Sequence, residues 1–281
     1  MCEFCHKHGE GKKWYLRAQN YSEALLNDPQ RRRFIKNFIS DPEYFRRALK
    51  KIEMLRRLPS YIQAVVTPIA VNRQKMFHYG QVVPIEEIER IFDFVNSVTR
   101  LPCICRKAML GKEQRYCYAL SMVPPKQSQL IGILSGVDGN YLAGPDTSGL
   151  EALTKEEALA NLRELEKEGL CHTVWTFISP FIGSICNCDR SDCVAMRLSV
   201  NMEYPVMFRA EYVAEVNPDL CKGCRQCMRV CQFGAMEYNV SNKKMVIDQK
   251  KCYGCGICRA NCPNNAIKLN ERSSVPLAVK T

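Results

Sequence analysis

Two runs of four cysteines near the carboxyl end constrain this 281-residue chain more than any other feature. The first run contains Cys221, Cys224, Cys227 and Cys231, and the second contains Cys252, Cys255, Cys258 and Cys262. Three thiolates on one tight loop reach three irons of a cube, and the fourth iron needs a ligand from elsewhere. The doubled spacing therefore predicts two four-iron, four-sulfur clusters, rather than zinc knuckles or a disulfide framework.

The two runs lie in a duplicated unit. Strand patterns at 212–217 and 245–248 each precede one run. This repeat resembles bacterial two-cluster ferredoxins over roughly residues 211–270. In that arrangement the fourth cysteine of each run ligates the other cluster. The resemblance therefore implies one cluster on Cys221, Cys224, Cys227 and Cys262, and another on Cys231, Cys252, Cys255 and Cys258. The copies differ at Gln232, which stands where the second has Pro263 and keeps a backbone N–H that can hydrogen-bond near a cluster sulfur.

Six further cysteines fall into two regions of the middle of the chain. They are Cys103, Cys105, Cys117, Cys186, Cys188 and Cys193. A turn would let the two thiols of each Cys-x-Cys pair converge on one metal. We therefore predict a third iron–sulfur cluster, built from the pairs 103/105 and 186/188, with Cys117 or Cys193 as substitutes. A zinc site and scattered reduced thiols are the alternatives.

The amino terminus offers a further candidate site. Cys2, Cys5, His6 and His8 lie within seven residues, and Cys171 is a distant thiol that can complete the set. This pattern predicts a metal ion or cluster, with a flexible terminus of unliganded thiols as the alternative. The haem-attachment pattern at Cys2 requires export, and no secretory signal is visible.

Composition and charge restrict the cellular setting. Seventeen cysteines without an export signal indicate metal binding in a reducing compartment, so we expect a cytoplasmic protein. The sequence contains no run of 18 apolar residues, so it predicts no transmembrane helix. The formal charge of +11 is concentrated in the first 60 residues, on helical patterns. This favours an acidic partner protein over nucleic acid.

Helical and strand patterns predict an α+β chain. A capping box at Thr154–Glu157 starts a helix that ends at Gly169, and a strand follows. This order resembles the recognition helix and wing of a winged-helix fold. We predict a helical amino-terminal and middle region with this winged-helix-like segment, followed by a bacterial two-cluster ferredoxin domain. The predicted boundaries are 1–83, 84–204, 205–272 and a tail at 273–281.

Three short motifs extend the resemblance upstream. They are Cys103-Ile104-Cys105-Arg106, the helix of Glu156-Glu157-Ala158-Leu159 ending in Gly169-Leu170-Cys171-His172, and Ile185-Cys186-Asn187-Cys188. Over about residues 80–270 the chain resembles a family of dicluster ferredoxin-domain proteins from anaerobes. It departs from that family where Asp189, Arg190 and Ser191 precede Cys193.

The resemblance implies electron transfer in anaerobic redox systems. We expect a subunit or partner that carries electrons to or from a multi-subunit oxidoreductase, rather than an independent enzyme, and predict no catalytic residue. Two alternatives remain open. One is an enzyme that binds its substrate at an open iron of the upstream cluster. The other is a redox-sensing regulator that binds DNA.

Overall fold

The computed structural model describes residues 8–9, 11–111, 114–137 and 149–279. Short 3₁₀ turns at Trp14–Leu16, Ala18–Tyr21 and Glu23–Asn27 lead into three helices. These are α1 (Pro29–Ser40), α2 (Pro42–Arg56) and α3 (Ser60–Phe77). The carboxylates of Asp28 and Asp41 cap α1 and α2, accepting hydrogen bonds from the backbone N–H of Gln30 and Tyr44. A proline follows each cap and fits the first helical position, where no N–H donor is needed.

A seven-stranded sheet forms the middle of the molecule. Its strands are β1 (Gly80–Val82), β2 (Ser97–Leu101), β3 (Cys117–Ser121), β4 (Glu151–Leu153), β5 (Cys171–Thr176), β6 (Ile182–Cys188) and β7 (Met207–Phe208). They lie in the order β4-β2-β3-β6-β5-β1-β7, and every pair is antiparallel except β1 with β7. β1 and β7 come from opposite sides of the predicted 84–204 domain, whose boundaries stay a prediction.

Helices cover both faces of this sheet. They are α4 (Ile85–Phe92), α5 (Ile104–Leu110), α6 (Gln129–Ser135), α7 (Lys155–Lys167) and α8 (Val194–Met196), with a π-helical turn at Arg197–Asn201. One core contains residues of α1 and α2 and the sheet face that carries Cys117 and Cys188. The other contains Trp14, α4, α7 and the opposite sheet face. Strand alternation divides neighbouring residues between the two cores.

The predicted capping box is present at the start of α7, and Gly169 adopts a φ of 92° beyond its end. The strand predicted to follow is β5. β5 and β6, however, are internal strands of the large sheet. The prediction of a winged-helix-like unit is therefore not confirmed. The prediction of a mixed α and β fold is confirmed.

Two small antiparallel sheets carry the two cysteine runs. β8 (Tyr212–Val216) pairs with β11 (Ile267–Glu271), and β9 (Met236–Asn239) pairs with β10 (Lys244–Ile247). The short helices α9 (Gln226–Val230) and α10 (Ile257–Ala260) follow the cysteine loops, and α11 (Pro276–Val279) ends the described chain. Within the described residues, no helix has both the length and the apolar character that crossing a bilayer requires.

Candidate metal centres

The first thiol pocket, called the distal pocket below, lies between the two small sheets. Its cavity of about 10 Å³ is lined by four thiols, three from the first cysteine run and one from the second: Cys221, Cys224, Cys227 and Cys262. Backbone N–H groups of Gly223 and Met245 lie 3.4 and 3.5 Å from the sulfur of Cys221. Four thiols with such donors are the chemical surroundings that an iron–sulfur cube requires.

The second pocket, called the proximal pocket, has the same composition with the runs exchanged. Its cavity of about 20 Å³ is lined by Cys231, Cys252, Cys255 and Cys258. The backbone N–H of Ala235 lies 3.4 Å from the sulfur of Cys231, and that of Ala214 lies 3.5 Å from the sulfur of Cys252. The structure thus brings together the two sets of four cysteines that the ferredoxin resemblance implies. As cluster ligands, these residues stay a prediction.

A glycine shapes each cysteine loop. Gly223 and Gly254 have φ angles of 67° and 71°. A Cβ atom at Gly223 would lie 2.2 Å from the backbone oxygen of Lys243, and one at Gly254 would lie 2.0 Å from that of Tyr212. Only glycine allows the cysteine loops to approach the neighbouring strands this closely.

Six thiols from four separate elements meet beneath α1 and α2. We call this group the six-thiol cluster: Cys103, Cys105, Cys117, Cys186, Cys188 and Cys193. Cys103 and Cys105 lie at the start of α5, and Cys193 directly precedes α8. In the sheet register Cys117 is the direct partner of Cys186.

The thiols of this cluster contact one another in an unbroken chain. Cys103 contacts Cys105 and Cys117, and Cys117 also contacts Cys186. Cys105 contacts Cys193, whose sulfur is 3.1 Å from that of Cys188. All six predicted residues therefore belong to one group, and Cys117 and Cys193 take part in it as fully as the four residues of the Cys-x-Cys pairs.

The strand geometry of β6 explains why the second pair converges. We expected a turn at Cys186 and Cys188, but both lie in β6. In a strand, residues two apart point to the same face. The same rule places Ile185 on the opposite face, in the other core. The expectation of a turn at this pair was wrong, although the thiols do meet.

Arg106 supplies a buried positive charge beside the six-thiol cluster. Its side chain is only 2% exposed, and it forms an ion pair with Asp189. One guanidinium nitrogen donates to the backbone oxygen of Asn187 at 3.0 Å and lies 4.0 Å from the sulfur of Cys103. Burial alone would lower the pKa of Arg106, but the nearby Cys103 thiolate and Asp189 carboxylate raise it overall. The cation therefore stabilises negative sulfur.

Hydrogen bonds between the thiols divide them into donors and acceptors. Hydrogen bonds from Cys105 and Cys117 hold the pKa of Cys103 well below its ordinary value. The pKa of Cys193 is lowered in the same way by Cys105 and Cys188. The pKa values of the three donor thiols are correspondingly raised. Hydrogen bonds within the group therefore favour negative charge on the sulfurs of Cys103 and Cys193, while Cys105, Cys117 and Cys188 hold their protons more tightly.

A single buried thiol connects the six-thiol cluster with the proximal pocket. Cys171, the first residue of β5, is fully buried and is the direct strand partner of Cys188. Its thiol also contacts that of Cys255, and this contact raises the pKa of Cys255. Cys171 was expected as a candidate for the amino-terminal site, whereas the structure places it between two other groups of thiols.

Gln232 forms a second connection at the same boundary. Its side chain donates to the backbone oxygen of Gly169 at 2.8 Å and accepts from the backbone N–H of Arg190 at 2.9 Å. The hydrogen bond of its backbone N–H near a cluster sulfur stays a prediction. The side chain joins the loop of the proximal pocket to the loop that follows Cys188.

The amino-terminal candidates cannot be followed as a set. Cys2, Cys5 and His6 lie outside the described residues. His8 is buried, with its ring 5.5 Å from that of Trp14. In the described parts of the chain, no three His, Cys, Asp or Glu side chains group as ligands of one metal ion. That holds for the ferredoxin pockets too, since a cube spreads its thiolates over four irons.

Comparison with known proteins assigns the carboxyl-terminal region. Residues 220–266 match the family model of the 4Fe-4S dicluster domain. This part of the protein is therefore an iron–sulfur domain of the ferredoxin type. Residues 1–219 lie outside the matched model.

The similar proteins share only a segment of this length. The archaeal-type glutamate synthase [NADPH] of Thermotoga maritima is 37% identical over 70 residues, which is 24% of this chain and 14% of that protein. One component of an ion-translocating oxidoreductase complex of Methanosarcina acetivorans is 45% identical over 49 residues, 17% of this chain and 18% of that one. An uncharacterized ferredoxin-like protein of Escherichia coli is 35% identical over 57 residues, with coverages of 20% and 27%.

Proposed function

We propose that this protein transfers electrons between a redox partner and a third iron–sulfur centre, which is bound by cysteines of the six-thiol cluster. The two 4Fe-4S clusters of the ferredoxin-type domain lie between the redox partner and this third centre. The observation that carries the proposal is the position of Cys171, whose thiol contacts that of Cys255 and whose backbone pairs with Cys188 in the sheet. The names of similar proteins, a component of an oxidoreductase complex among them, support a role within a larger redox system.

The thiols that line the two pockets support the following ligand sets. The distal cluster is held by Cys221, Cys224, Cys227 and Cys262, and the proximal cluster by Cys231, Cys252, Cys255 and Cys258. Such clusters take up and release one electron at a time. The chain's own part is to supply thiolates, donate N–H groups to their sulfurs and exclude water, which together set the potential.

The third cluster draws its ligands from six neighbouring thiols. We propose Cys103, Cys105, Cys186 and Cys188 as ligands, with Cys117 and Cys193 as substitutes. Four soft thiolates favour an iron–sulfur cluster or zinc over harder metals. The buried Arg106 supports a negatively charged centre, because its cation offsets charge that the apolar surroundings would otherwise make costly.

The order of the sites supports the following electron route. Among the cysteines that the structure describes, only Cys224 of the distal pocket is exposed. Leu220 and Met228 are also exposed, by 47% and 44%, close to it in the chain. A partner that docks there meets the distal cluster first. Cys227 lies close enough to Cys258 to influence its pKa electrostatically, which supports the step to the proximal cluster.

The test is the double substitution Cys105→Ser/Cys188→Ser in full-length protein prepared without oxygen. We expect iron to fall from about twelve to about eight atoms per chain, with both ferredoxin-type electron paramagnetic resonance signals retained. Cys171→Ser is the matched control, because it removes a buried thiol outside the proposed ligand sets and should retain all iron. Because Cys117 and Cys193 can substitute as ligands, the double variant is compared with one that also carries Cys117→Ser and Cys193→Ser. Unchanged iron in both variants, or loss of one zinc ion instead, would reject the third cluster.

A further inference from the structure

The six-thiol cluster forms the floor of a cavity far larger than a cluster needs. The cavity measures about 620 Å³, against about 10 and 20 Å³ for the distal and proximal pockets. In those two pockets, which are proposed to hold only a cube, the four thiols enclose little additional space. A volume of several hundred Å³ is typical of small-molecule sites. The cavity therefore has room for a ligand above the thiols.

Aromatic rings form much of the wall. They belong to Phe34, Phe38, Phe45, Phe77, Trp175 and Phe177. His78 stacks on Trp175 at 4.8 Å with an interplanar angle of 19°, and its centroid is 4.3 Å from that of Phe38. Such walls favour a flat aromatic ligand, which stacks on or meets these rings edge to face.

Apart from the thiols, the charged side chains of the lining are positive. Lys51 and Arg73 line the cavity, and none of its described lining residues is acidic. His78 adds no charge, because burial lowers its pKa to about 4 and its Nδ1 donates to the backbone oxygen of Thr176. The two exposed cations therefore favour a ligand with an anionic group directed toward solvent.

The helix α3 forms one side of the cavity. It contributes Ala70, Arg73, Gln74 and Phe77 to the wall. Of its eighteen residues, only Val71 is buried. A helix that buries so little can move from the cavity at low cost, because few packed contacts hold it.

We propose that this cavity is the binding site of an aromatic carboxylate. The ring lies among the aromatic side chains above the six thiols, and the carboxylate lies near Arg73 and Lys51. The inference deepens the proposed function by naming the ligand class at the inner end of the electron route, and any electron exchange with the ligand rests on that function. Binding itself depends only on the cavity.

The experiment titrates anaerobically purified holoprotein with 2-naphthoate in a calorimeter. We expect one saturable site. Cyclohexanecarboxylate keeps the charge but lacks the flat ring, and 2-naphthylmethanol keeps the ring but lacks the charge. Each should bind at least about tenfold more weakly, because each loses one of the two interactions.

Matched variants locate the site. Ala70→Phe fills the cavity and should weaken 2-naphthoate binding at least about tenfold, whereas Ala64→Phe adds the same ring on the exposed side of α3 and should leave binding unchanged. Arg73→Gln should weaken binding of the anion but not of the alcohol. The exposed Arg33→Gln is its control.

Two results overturn the inference. One is the absence of saturable 2-naphthoate binding, and the other is wild-type affinity in Ala70→Phe. Iron analysis of the same samples separates this failure from that of the proposed function. If 2-naphthoate binds to protein with only about eight irons per chain, the third cluster is rejected and the binding site is retained. If protein with about twelve irons per chain does not bind it, the binding site is rejected and the third cluster is retained.

Discussion

Replacing Gly254 by alanine should cost the protein its proximal cluster. Its φ of 71° lies in the left-handed region, where a Cβ costs roughly 1–2 kcal/mol. The new atom would also lie 2.0 Å from the backbone oxygen of Tyr212, and a tolerable contact begins at 3.0 Å. The loop must therefore move by about 1 Å, the difference between those distances. Ligand positions must hold within about 0.2 Å, so Cys252 and Cys255 cannot both stay in place.

Gly234→Ala is the matched control. Gly234 has a φ of 64°, but a Cβ there would have no atom within 4 Å. This variant carries the left-handed strain without the collision. That strain is partly offset by about 0.4–1 kcal/mol, because alanine has less freedom than glycine in the unfolded chain. We expect a small loss of stability and full cluster content.

The two variants are compared by iron analysis and electron paramagnetic resonance after identical anaerobic reconstitution. Gly254→Ala should hold about four irons fewer than Gly234→Ala and lose one ferredoxin-type signal. Equal iron in the two variants would refute the argument that the approach to Tyr212 positions the loop. Equal loss in both would assign the effect to backbone strain alone.

Two further predictions concern ligation and pH. If the fourth cysteines cross over, Cys231→Ala/Cys255→Ala damages one cluster and loses about four irons, whereas Cys231→Ala/Cys224→Ala damages both and loses about eight; the opposite pattern in iron analysis would reject crossed ligation. Burial raises the pKa of Glu166 from 4.5 to about 7, so the folded state favours the neutral acid and stability falls as pH rises from about 4.5 through 7. Glu166→Gln should therefore raise the thermal unfolding temperature at pH 8 much more than at pH 5, and equal shifts at both pH values would contradict this reasoning.

The ferredoxin-type domain could be predicted because its information is local. Spacing within each run places three thiols on one loop, and the repeated unit supplies the fourth. The family match at 220–266 confirms this domain. The capping box at the start of α7 was predictable for the same reason, since its two hydrogen bonds join residues three apart.

The six-thiol cluster was predictable only in part, because its geometry comes from the sheet. The Cys-x-Cys pattern at 186/188 indicated convergence, but the expectation of a turn missed the strand alternation that produces it. The contact of Cys117 with Cys186 depends on the pairing of β3 with β6, which no local pattern encodes. The cavity forms because α1–α3 cover the sheet face that carries the six thiols. The predicted boundaries instead placed these helices in a separate segment, residues 1–83.

The direction of the proposed electron route depends on a difference between the two copies of the ferredoxin repeat. A symmetric two-cluster domain presents two equivalent ends. Here the first copy has Gln232 where the second has Pro263, and the Gln232 side chain binds both Gly169 and Arg190. Because Gln232 follows Cys231, this attaches the proximal pocket, and not the distal one, to the sheet that carries the six thiols. The distal pocket keeps its exposed Cys224, so the asymmetry gives the domain one inner end and one outer end.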